Sequence, residues 1–346
     1  MKSVTAIDNA DRVTFRHLSR LTDDRGILEH AKGRHPRFSF GYCTDDNARL
    51  AVASLHDGGL SFGSEILGRI ALNFIHDAVD ESGMVRNRLS FQRVWVDSPS
   101  TDDCWGRALW AFGTAARLGF NDHIRIEAQR AFDHACLHRG SALRAMCYAA
   151  LGAAEVARID PHHHDAAFLL HDAAEEVCDL VRSDRAWPWP EDRLTYHNAL
   201  IPEALLAAGE GTGSVDYIET GLDLLEWLVR RETHNGRLSV TPVGGRGPSD
   251  PQPAFDQQPI EVAGIANACA RAWHLTNDNH WLDSLGLATA WFRGHNDAGL
   301  AMVDSQSHGG FDGLGSGGVN LNQGAESTLA MIATMQYERF LNAVQL

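Results

Sequence analysis

Hydrophobic residues recur at a period of about 3.6 along almost the whole chain, which is the pattern of amphipathic helices. In the stretch ALWAFGTAARLGF, for example, Leu109, Phe112 and Ala116 lie on one stripe. Glycine-rich segments such as HDGG at 56–59 interrupt the pattern and indicate helix ends. The pattern predicts helices over residues 6–20, 44–57, 64–80, 103–118, 122–138, 141–159, 164–183, 197–209, 216–232, 258–276, 280–296 and 323–342.

Signals for β-strands are few. The alternating segment 83–96 predicts a hairpin, and 236–245 predicts a short strand that runs into a loop. Long loops are predicted over 242–257 and 297–322, and the glycine-rich second loop is interpreted as a flexible lid over a site. Because no proline- or serine-rich linker divides the chain, residues 1–346 are predicted to form a single domain.

Helices of two characters alternate along the chain. The even-numbered ones in this series, such as SALRAMCYAALGAA, are apolar on all sides and rich in alanine, which is typical of helices packed on both sides. The odd-numbered ones, such as HDAAEEVCDLVRSD, carry more charge. The alternation predicts an all-α (α/α)6 toroid, with an inner ring of helices inside an outer ring. In such a toroid the inner helices point the same way, so their N-termini gather at one mouth.

Composition and charge exclude several classes of function. The 346 residues are 44% hydrophobic, and 30 basic against 45 acidic residues give a net charge of −15. Without a basic patch, neither nucleic acid nor an anionic membrane is an expected partner. No apolar run reaches the roughly 18 residues of a membrane span, and the N-terminus lacks the apolar core of a secretory signal. The six cysteines form no C-x-x-C motif and are interpreted as reduced core thiols, so a cytoplasmic location is expected.

Two stretches open even-numbered helices in the same unusual way, GYCTDDNAR and STDDCWGR. A single aspartate at a helix start is explained as a cap, because it accepts backbone N–H bonds at the positive end of the helix dipole. A second aspartate, an arginine one turn later and a flanking aromatic ring exceed that need, so both stretches are predicted to line a site. Their candidate residues are Tyr42, Asp45, Asp46, Arg49, Asp102, Asp103, Trp105 and Arg107.

The stretch RAWPWPEDRLTYHN, around the start of the eighth predicted helix, combines aromatic rings with charges. Rings that stack on the C–H faces of a sugar, beside groups that bond its hydroxyls, are typical of a carbohydrate site. The alternative is that the tryptophans fill the core and the charges form a surface turn. The candidate residues here are Trp187, Trp189, Glu191, Asp192, Arg193, Tyr196 and His197.

Amides and acids surround the starts of the tenth and twelfth predicted helices, in FDQQPIE and NLNQGAES. They can cap those helices or bind hydroxyl groups, and both interpretations stay open. The sequence contains no H-E-x-x-H or P-loop motif, so no cofactor is predicted, with Ca²⁺ on clustered carboxylates as a variant. The candidate residues are Asp256, Gln257, Gln258, Glu261, Asn322, Gln323 and Glu326.

The alternating helices, with acids and aromatic rings at the inner N-termini, resemble the six-hairpin glycosidase superfamily. The motifs YCTDDNAR, GRALWAFG, WPWPEDRLTYHNA, FDQQPIE and NQGAESTLA also resemble a bacterial (α/α)6 family that is encoded near glycosyltransferases and mannoside-processing enzymes. The likeness runs from about residue 40 to residue 340. It implies the toroid and carbohydrate chemistry, but it brings no known catalytic pair.

The sequence therefore predicts a glycoside hydrolase that acts on an oligosaccharide or glycoside. Such an enzyme needs one protonated and one ionised carboxyl group. Asp46 and Asp103 are the candidates on one side and Glu191 or Asp192 on the other, with Glu326 in reserve. The resemblance implies that the reaction inverts the anomeric configuration.

Two other functions fit the same sequence. A sugar epimerase of the N-acylglucosamine 2-epimerase type would use the same toroid, although it usually needs inner histidines and His197 alone is well placed. A non-catalytic glycan-binding partner of a glycosyltransferase would use the aromatic residues as platforms. Incorporation of deuterium from solvent would indicate the first, and binding without product formation would indicate the second.

Overall fold

The computed structural model describes residues 13–344, and this part of the chain is predominantly helical. Short apolar stripes separated by glycine or extended residues set the helix ends, as at Gly58, which closes its helix in the left-handed conformation. The helices are α1 (Arg16–Leu21), α2 (Thr44–Asp57), α3 (Ser64–Ala78), α4 (Asp103–Leu118), α5 (Asp122–Ala135), α6 (Leu143–Ile159), α7 (His164–Leu180), α8 (Leu200–Thr212), α9 (Val215–Arg231), α10 (Pro259–Thr276), α11 (His280–Phe292) and α12 (Ala325–Val344).

The even-numbered helices form a closed inner ring. Each packs against the next even-numbered helix, and α12 packs against α2 to complete the circle. The odd-numbered helices lie outside this ring, where α3, α5, α7, α9 and α11 each pack against the inner helix that precedes them. The predicted (α/α)6 toroid is confirmed. Because each outer helix returns the chain, the inner helices run in the same direction and their N-termini surround one mouth.

Small residues let the inner helices approach closely. A side chain on Gly113 of α4 would meet the carbonyl oxygen of Gly152 on α6, and one on Gly152 would meet the carbonyl oxygen of Leu109. The two backbones are therefore in direct contact. This packing therefore requires glycine at positions 113 and 152.

The strands are two or three residues long and lie in the connections between helices. They are β1 (Ala31–Lys32), β2 (His35–Pro36), β3 (Tyr42–Cys43), β4 (Arg88–Leu89), β5 (Thr233–His234), β6 (Arg237–Leu238), β7 (Gly313–Gly315) and β8 (Gly318–Asn320). They form antiparallel pairs, with β1 next to β2, β3 next to β4, β5 next to β6 and β7 next to β8.

The segment 83–96 folds back on itself as predicted, with Leu89 bridged to Trp95, but its two-residue strand β4 pairs with β3. Most helix bounds lie within three residues of the prediction. Residues 6–12 of the first predicted helix lie outside the described residues. Within the described part of the chain, no helix combines the length and apolarity that crossing a membrane requires.

Candidate functional site

A cavity of about 530 Å³ opens where the N-termini of the inner helices meet. Its wall combines acidic groups with arginines, and fewer apolar side chains than the barrel interior. The acidic residues that line it are Glu29, Asp45, Asp46, Asp103, Asp256, Asp312 and Glu326, and the arginines are Arg49, Arg88 and Arg107. We call this space the mouth cavity.

Arg49 holds two of these acids in place at the base of the cavity. Its Nη1 donates to Asp46 Oδ1 at 2.6 Å, and its Nη2 donates to Glu326 Oε2 at 2.7 Å. Asp46 is 2% exposed, and burial raises its pKa to about 6, although Arg49 opposes that shift. Arg49 thereby ties the start of α2 to the start of α12.

Arg107 lies on the neighbouring inner helix, one turn into α4. Its guanidinium lies over the ring of Tyr148, 4.2 Å from the ring centroid, and its Nε lies 3.3 Å from Asp45 Oδ1. That ion pair lacks hydrogen-bond geometry, so Nε and Nη1 of Arg107 and Oδ1 of Asp45 have no hydrogen-bond partner among the described residues. A buried guanidinium with free N–H groups beside a free carboxylate oxygen is ready to bind a ligand with donors and acceptors, such as a hydroxyl.

Asp103, the first residue of α4, is a hydrogen-bonded carboxylate at the cavity wall. Tyr196 Oη donates a hydrogen bond to its Oδ2, and Arg107 Nη2 lies 3.9 Å from the same oxygen. Burial and then the contact with Asp103 raise the pKa of Tyr196, so this phenol stays neutral and acts as a donor. Asp103 Oδ2 is therefore held in place as a hydrogen-bond acceptor beside a guanidinium.

Asp256 lies in a different environment. It precedes α10, lines the mouth cavity, and has no ion pair with an arginine or histidine among the described residues. Desolvation and the nearby Asp312 carboxylate raise its pKa. The mouth cavity thus contains carboxyl groups in two kinds of surroundings, Asp103 beside a tyrosine donor and an arginine, and Asp256 beside another carboxylate.

No protein-family model matches the sequence, and no curated protein matches it. Solved structures match nearly the whole chain. A sugar epimerase from a ruminal bacterium has a TM-score of 0.71 at 13% identity, with 94% of this chain and 95% of that chain covered. Cellobiose 2-epimerase from Bacillus thermoamylovorans has a TM-score of 0.69 at 11% identity, covering 94% and 96%.

A third match is an inactive variant of an α-1,6-mannanase of Salegentibacter, in which two consecutive aspartates are replaced by alanine, in complex with α-1,6-mannotetrose. Its TM-score is 0.64 at 12% identity, with 96% of this chain and 98% of that chain covered. The architecture is shared by all three proteins. This chain has the same (α/α)6 toroid fold as these proteins.

Within this six-hairpin toroid, the structure brings part of the predicted site together. Each of the five predicted motifs contributes at least one residue to the wall of the mouth cavity, although the motifs are far apart in the sequence. They are Asp45, Asp46, Arg49, Asp103, Arg107, Tyr196, Asp256, Gln258 and Glu326.

The predicted tryptophan platforms lie elsewhere. Trp189 is fully buried and stacks on Trp227, and Trp187 meets the same ring edge-on. Trp105 is also fully buried and donates from Nε1 to the carbonyl of Ala135. Aromatic residues are well suited to a core as well as to a sugar, and here the core contains all three tryptophans.

Two predicted catalytic carboxylates are placed outside the mouth cavity. Glu191 accepts two hydrogen bonds of 2.8 Å from Arg144, the bidentate arrangement of a structural ion pair. Asp192 is 92% exposed and pairs with Arg182. The neighbouring Arg193 pairs with Asp250 on the surface.

Other predicted contacts are occupied by structural hydrogen bonds and do not line the mouth cavity. Tyr42 Oη donates to Asp23, Gln257 bonds Asp297, and Gln323 bonds Asp304. Asn322 accepts from the backbone of Gly33, and Asp102 is exposed at the start of α4.

His197 and Glu261 lie beneath the mouth and support each other. Glu261 accepts hydrogen bonds from the backbone N–H groups of His197 and Asn198, and from Asn198 Nδ2 at 2.8 Å. His197 Nδ1 is bonded to Tyr148 Oη, the ring on which Arg107 stacks. Burial lowers the pKa of His197 well below its usual value, so the imidazole is neutral.

The sequence prediction missed three charged groups of the mouth cavity. Glu29, Arg88 and Asp312 come from connections between helices, and Glu29 pairs with Arg88 there. Oxygen and sulfur atoms of Glu29, Cys43 and Asp46 lie within 4.8 Å of one another. Both carboxylates already have arginine partners, and burial raises the pKa of the Cys43 thiol, which disfavours the thiolate form that a metal needs.

A second cavity of about 340 Å³ lies along the barrel axis below the mouth. Arg49 and Glu326 line both cavities, so their ion pair separates them. The axial cavity is more apolar, with Trp110 and Tyr337 in its wall, and it continues toward the C-terminal ends of the inner helices.

Proposed function

We propose that this protein is a glycoside hydrolase that cleaves an oligosaccharide in the mouth cavity, with Asp103 and Asp256 as its carboxyl pair. In the ring of inner helices, α4 and α10 stand three places apart and face each other across the axis. Carboxyl groups at their starts therefore flank the cavity from opposite sides. This opposition carries the proposal, because glycosidases need two carboxyl groups on either side of the bond they break.

The surroundings of the two carboxyl groups assign their roles. Asp256, with its raised pKa, is the general acid that protonates the leaving-group oxygen. Asp103, which accepts a hydrogen bond from Tyr196 and lies close to Arg107, is the carboxylate that activates water or attacks the anomeric carbon. Asp45 and the free N–H groups of Arg107 bind hydroxyl groups of the bound sugar.

The mannanase of the same fold adds support. That protein is described as inactive when two consecutive aspartates are replaced. In this chain consecutive aspartates lie at the starts of both α2 and α4. The partly exposed aspartate of each pair, Asp45 or Asp103, lines the mouth cavity. Glu191 and Asp192 are left out of the proposed mechanism because Arg144 and Arg182 engage them elsewhere.

The proposal is tested by incubating the protein with manno- and gluco-oligosaccharides and following the products by NMR, which also shows whether the anomer is inverted or retained. Asp103→Asn should lower turnover by about a hundredfold or more, because the ionised carboxylate is lost. Asp122→Asn is the matched control, since Asp122 begins the outer helix α5 and pairs with Arg125 three residues later, as Asp103 begins α4 with Arg107 four residues later.

Unchanged turnover in Asp103→Asn would refute the assigned role. Binding of an oligosaccharide by the wild type with no product after long incubation would show a binding protein in place of a hydrolase. The melting temperature of Asp103→Asn should stay close to that of the wild type, because this carboxylate is partly exposed.

A sugar epimerase is the second candidate. The neutral His197 bonded to Tyr148 favours it, because it places a possible proton acceptor beneath the mouth. The protein would then exchange a sugar C–H proton with solvent. Incubation of mannose, glucose and cellobiose in deuterated water would reveal this as deuterium at C2, whereas a hydrolase would leave that position unlabelled.

A further inference from the structure

Three phenylalanine rings are exposed next to the mouth cavity. Phe38 is 51% exposed, Phe40 is 43% exposed and Phe91 is 40% exposed. We call these three rings the rim patch. Exposed aromatic rings in a cluster are costly in water and indicate a surface that meets a ligand.

The rim patch is continuous with the wall of the mouth cavity. His30 lines the cavity, and its ring meets Phe40 edge-on with 4.6 Å between centroids. Arg88, which also lines the cavity, lies on β4, and Phe91 follows two residues after that strand ends. The pairing of β3 with β4 holds the segments that carry these rings side by side.

The rings are fixed by their neighbours. Phe38 and Phe91 pack against each other with 4.8 Å between centroids, and Phe91 also stacks on the buried Tyr42. The guanidinium of Arg37 lies 4.4 Å from the centroid of Phe40. Held in this way, the rings lose little conformational freedom when a ligand covers them.

We propose that the rim patch binds a further sugar unit of the substrate, outside the unit held in the mouth cavity. This inference rests on the proposed function and names its substrate class, a neutral oligosaccharide longer than a disaccharide. Apolar ring faces match the C–H faces of a pyranose, and the adjoining pair of Glu29 and Arg88 offers acceptors and donors for its hydroxyls. Continuity with the cavity favours a chain that passes from one to the other over a separate protein partner.

In this proposal the rim patch takes the role of sugar-binding platform that the sequence had predicted for the tryptophans, which are buried. Trp187 and Trp189 came from one conspicuous motif, whereas Phe38, Phe40 and Phe91 are spread over two unremarkable segments. They act together only because β3 and β4 bring those segments to the same edge of the mouth.

Calorimetric titration of mannose, α-1,6-mannotetraose and cellotetraose tests this site. The measurements use the Asp103→Asn variant if the wild type degrades the sugars. At least one tetrasaccharide should bind, and Phe38→Ala combined with Phe91→Ala should weaken that binding by about tenfold. The affinity for mannose should change less than about twofold, because mannose needs only the mouth cavity.

The control is Phe168→Ala, which removes a ring that is 60% exposed on the outer helix α7. It should leave both affinities unchanged. The proposal would be overturned if the double variant bound the tetrasaccharide as tightly as the wild type does. It would also be overturned if the unmodified protein bound neither tetrasaccharide. A wild-type dimer that the double variant converts to a monomer in light scattering would likewise overturn it, because the rings would then be a self-association surface.

This experiment separates the two proposals. Tetrasaccharide binding that depends on the rim patch, without any product, would refute the hydrolase and keep the rim site. Hydrolysis of tetrasaccharides that is unaffected by the double variant would keep the hydrolase and refute the rim site.

Discussion

Glu203, on α8, is a buried carboxyl group outside the mouth cavity. It is 6% exposed, its Oε2 has no hydrogen-bond partner within the described residues, and Arg271 Nε lies 3.8 Å from its Oε1. Burial raises its pKa to about 7, and Arg271 only partly opposes that shift. Glu203 lines the axial cavity, so the unfavourable burial of its charged form occurs in the barrel interior.

The unfolding free energy should consequently fall as pH rises from about 4.5 to about 7, because the folded state keeps the Glu203 proton that the unfolded chain releases. The full effect is about 3 kcal/mol. Glu203→Gln stays neutral, so it should remove this part of the slope and be more stable than the wild type at pH 8. Urea unfolding at pH 5 and pH 8 measures the difference.

Glu219→Gln, on the exposed face of α9, is the control and should leave the pH dependence unchanged. Equal slopes for Glu203→Gln and the wild type would show that Glu203 is ionised in the folded protein throughout this range.

At the residue scale, the sequence indicated which residue types gather at the mouth but not how each side chain points. Asp46 and Asp103 were predicted because paired acids exceed what a helix cap needs. Glu191 looked equivalent, yet Arg144 from the start of α6 captures it, and nothing in the local sequence shows that distant partner. Side-chain orientation in a loop depends on tertiary contacts, which spacing alone does not reveal.

At the scale of elements, α4 and α6 approach each other so closely that a side-chain carbon added to a glycine at their contact would overlap the backbone of the other helix. A methyl group on Gly152 would collide with the backbone of Leu109 and Trp110, and backbone atoms cannot move aside as a flexible side chain can. Two inner helices must separate to admit it.

Gly152→Ala should therefore destabilise the protein by about 2 kcal/mol, even though alanine favours a helix. Gly286→Ala is the control, because Gly286 lies in α11 and a methyl group there would have no atom of another element within 4 Å. That control should stabilise by up to about 1 kcal/mol. Denaturant unfolding decides, and a stabilised Gly152→Ala would mean that the helices are less tightly apposed.

Helices were predictable because their period and end signals are local. The bounds 44–57 and 103–118 agree with α2 and α4, where aspartates and glycines mark the ends. The predicted 164–183 helix ended early at Leu180, because Val181 is extended despite its apolar character. Strands of two residues, such as β1 and β2, are too short to show the alternation of hydrophobic and polar residues that predicts a strand. Their position depends on the contacts around them.

On the scale of the whole molecule, the ring closes where α12 meets α2. The bond from Arg49 to Glu326 crosses that seam at the mouth, and Gln336 Nε2 donates to the carbonyl of Ala53 farther along it at 2.8 Å. The alternation of apolar and charged helices predicted this closed architecture. It could not predict the loop residues Glu29 and Asp312, because their position depends on the finished ring.

Arg49→Met should destabilise the protein by about 3–5 kcal/mol at pH 8, since it leaves the buried Asp46 without its cation. The loss should be smaller at pH 5, where Asp46 takes up a proton. Thermal unfolding at both pH values measures this, and adding Asp46→Asn should restore much of the stability at pH 8. Equal losses at pH 5 and pH 8 would contradict the role of the buried charge.

The seam also determines when the base of the mouth cavity can form during synthesis. Arg49 and Glu326 are 277 positions apart, so the base of the mouth exists only after α12 has been made and has docked beside α2. A nascent chain that ends before α12 would hold most of the cavity residues on an unclosed arc of helices. Such a chain lacks the Arg49–Glu326 bond, so the base of the mouth cavity forms only once the first and last inner helices of the ring are both present.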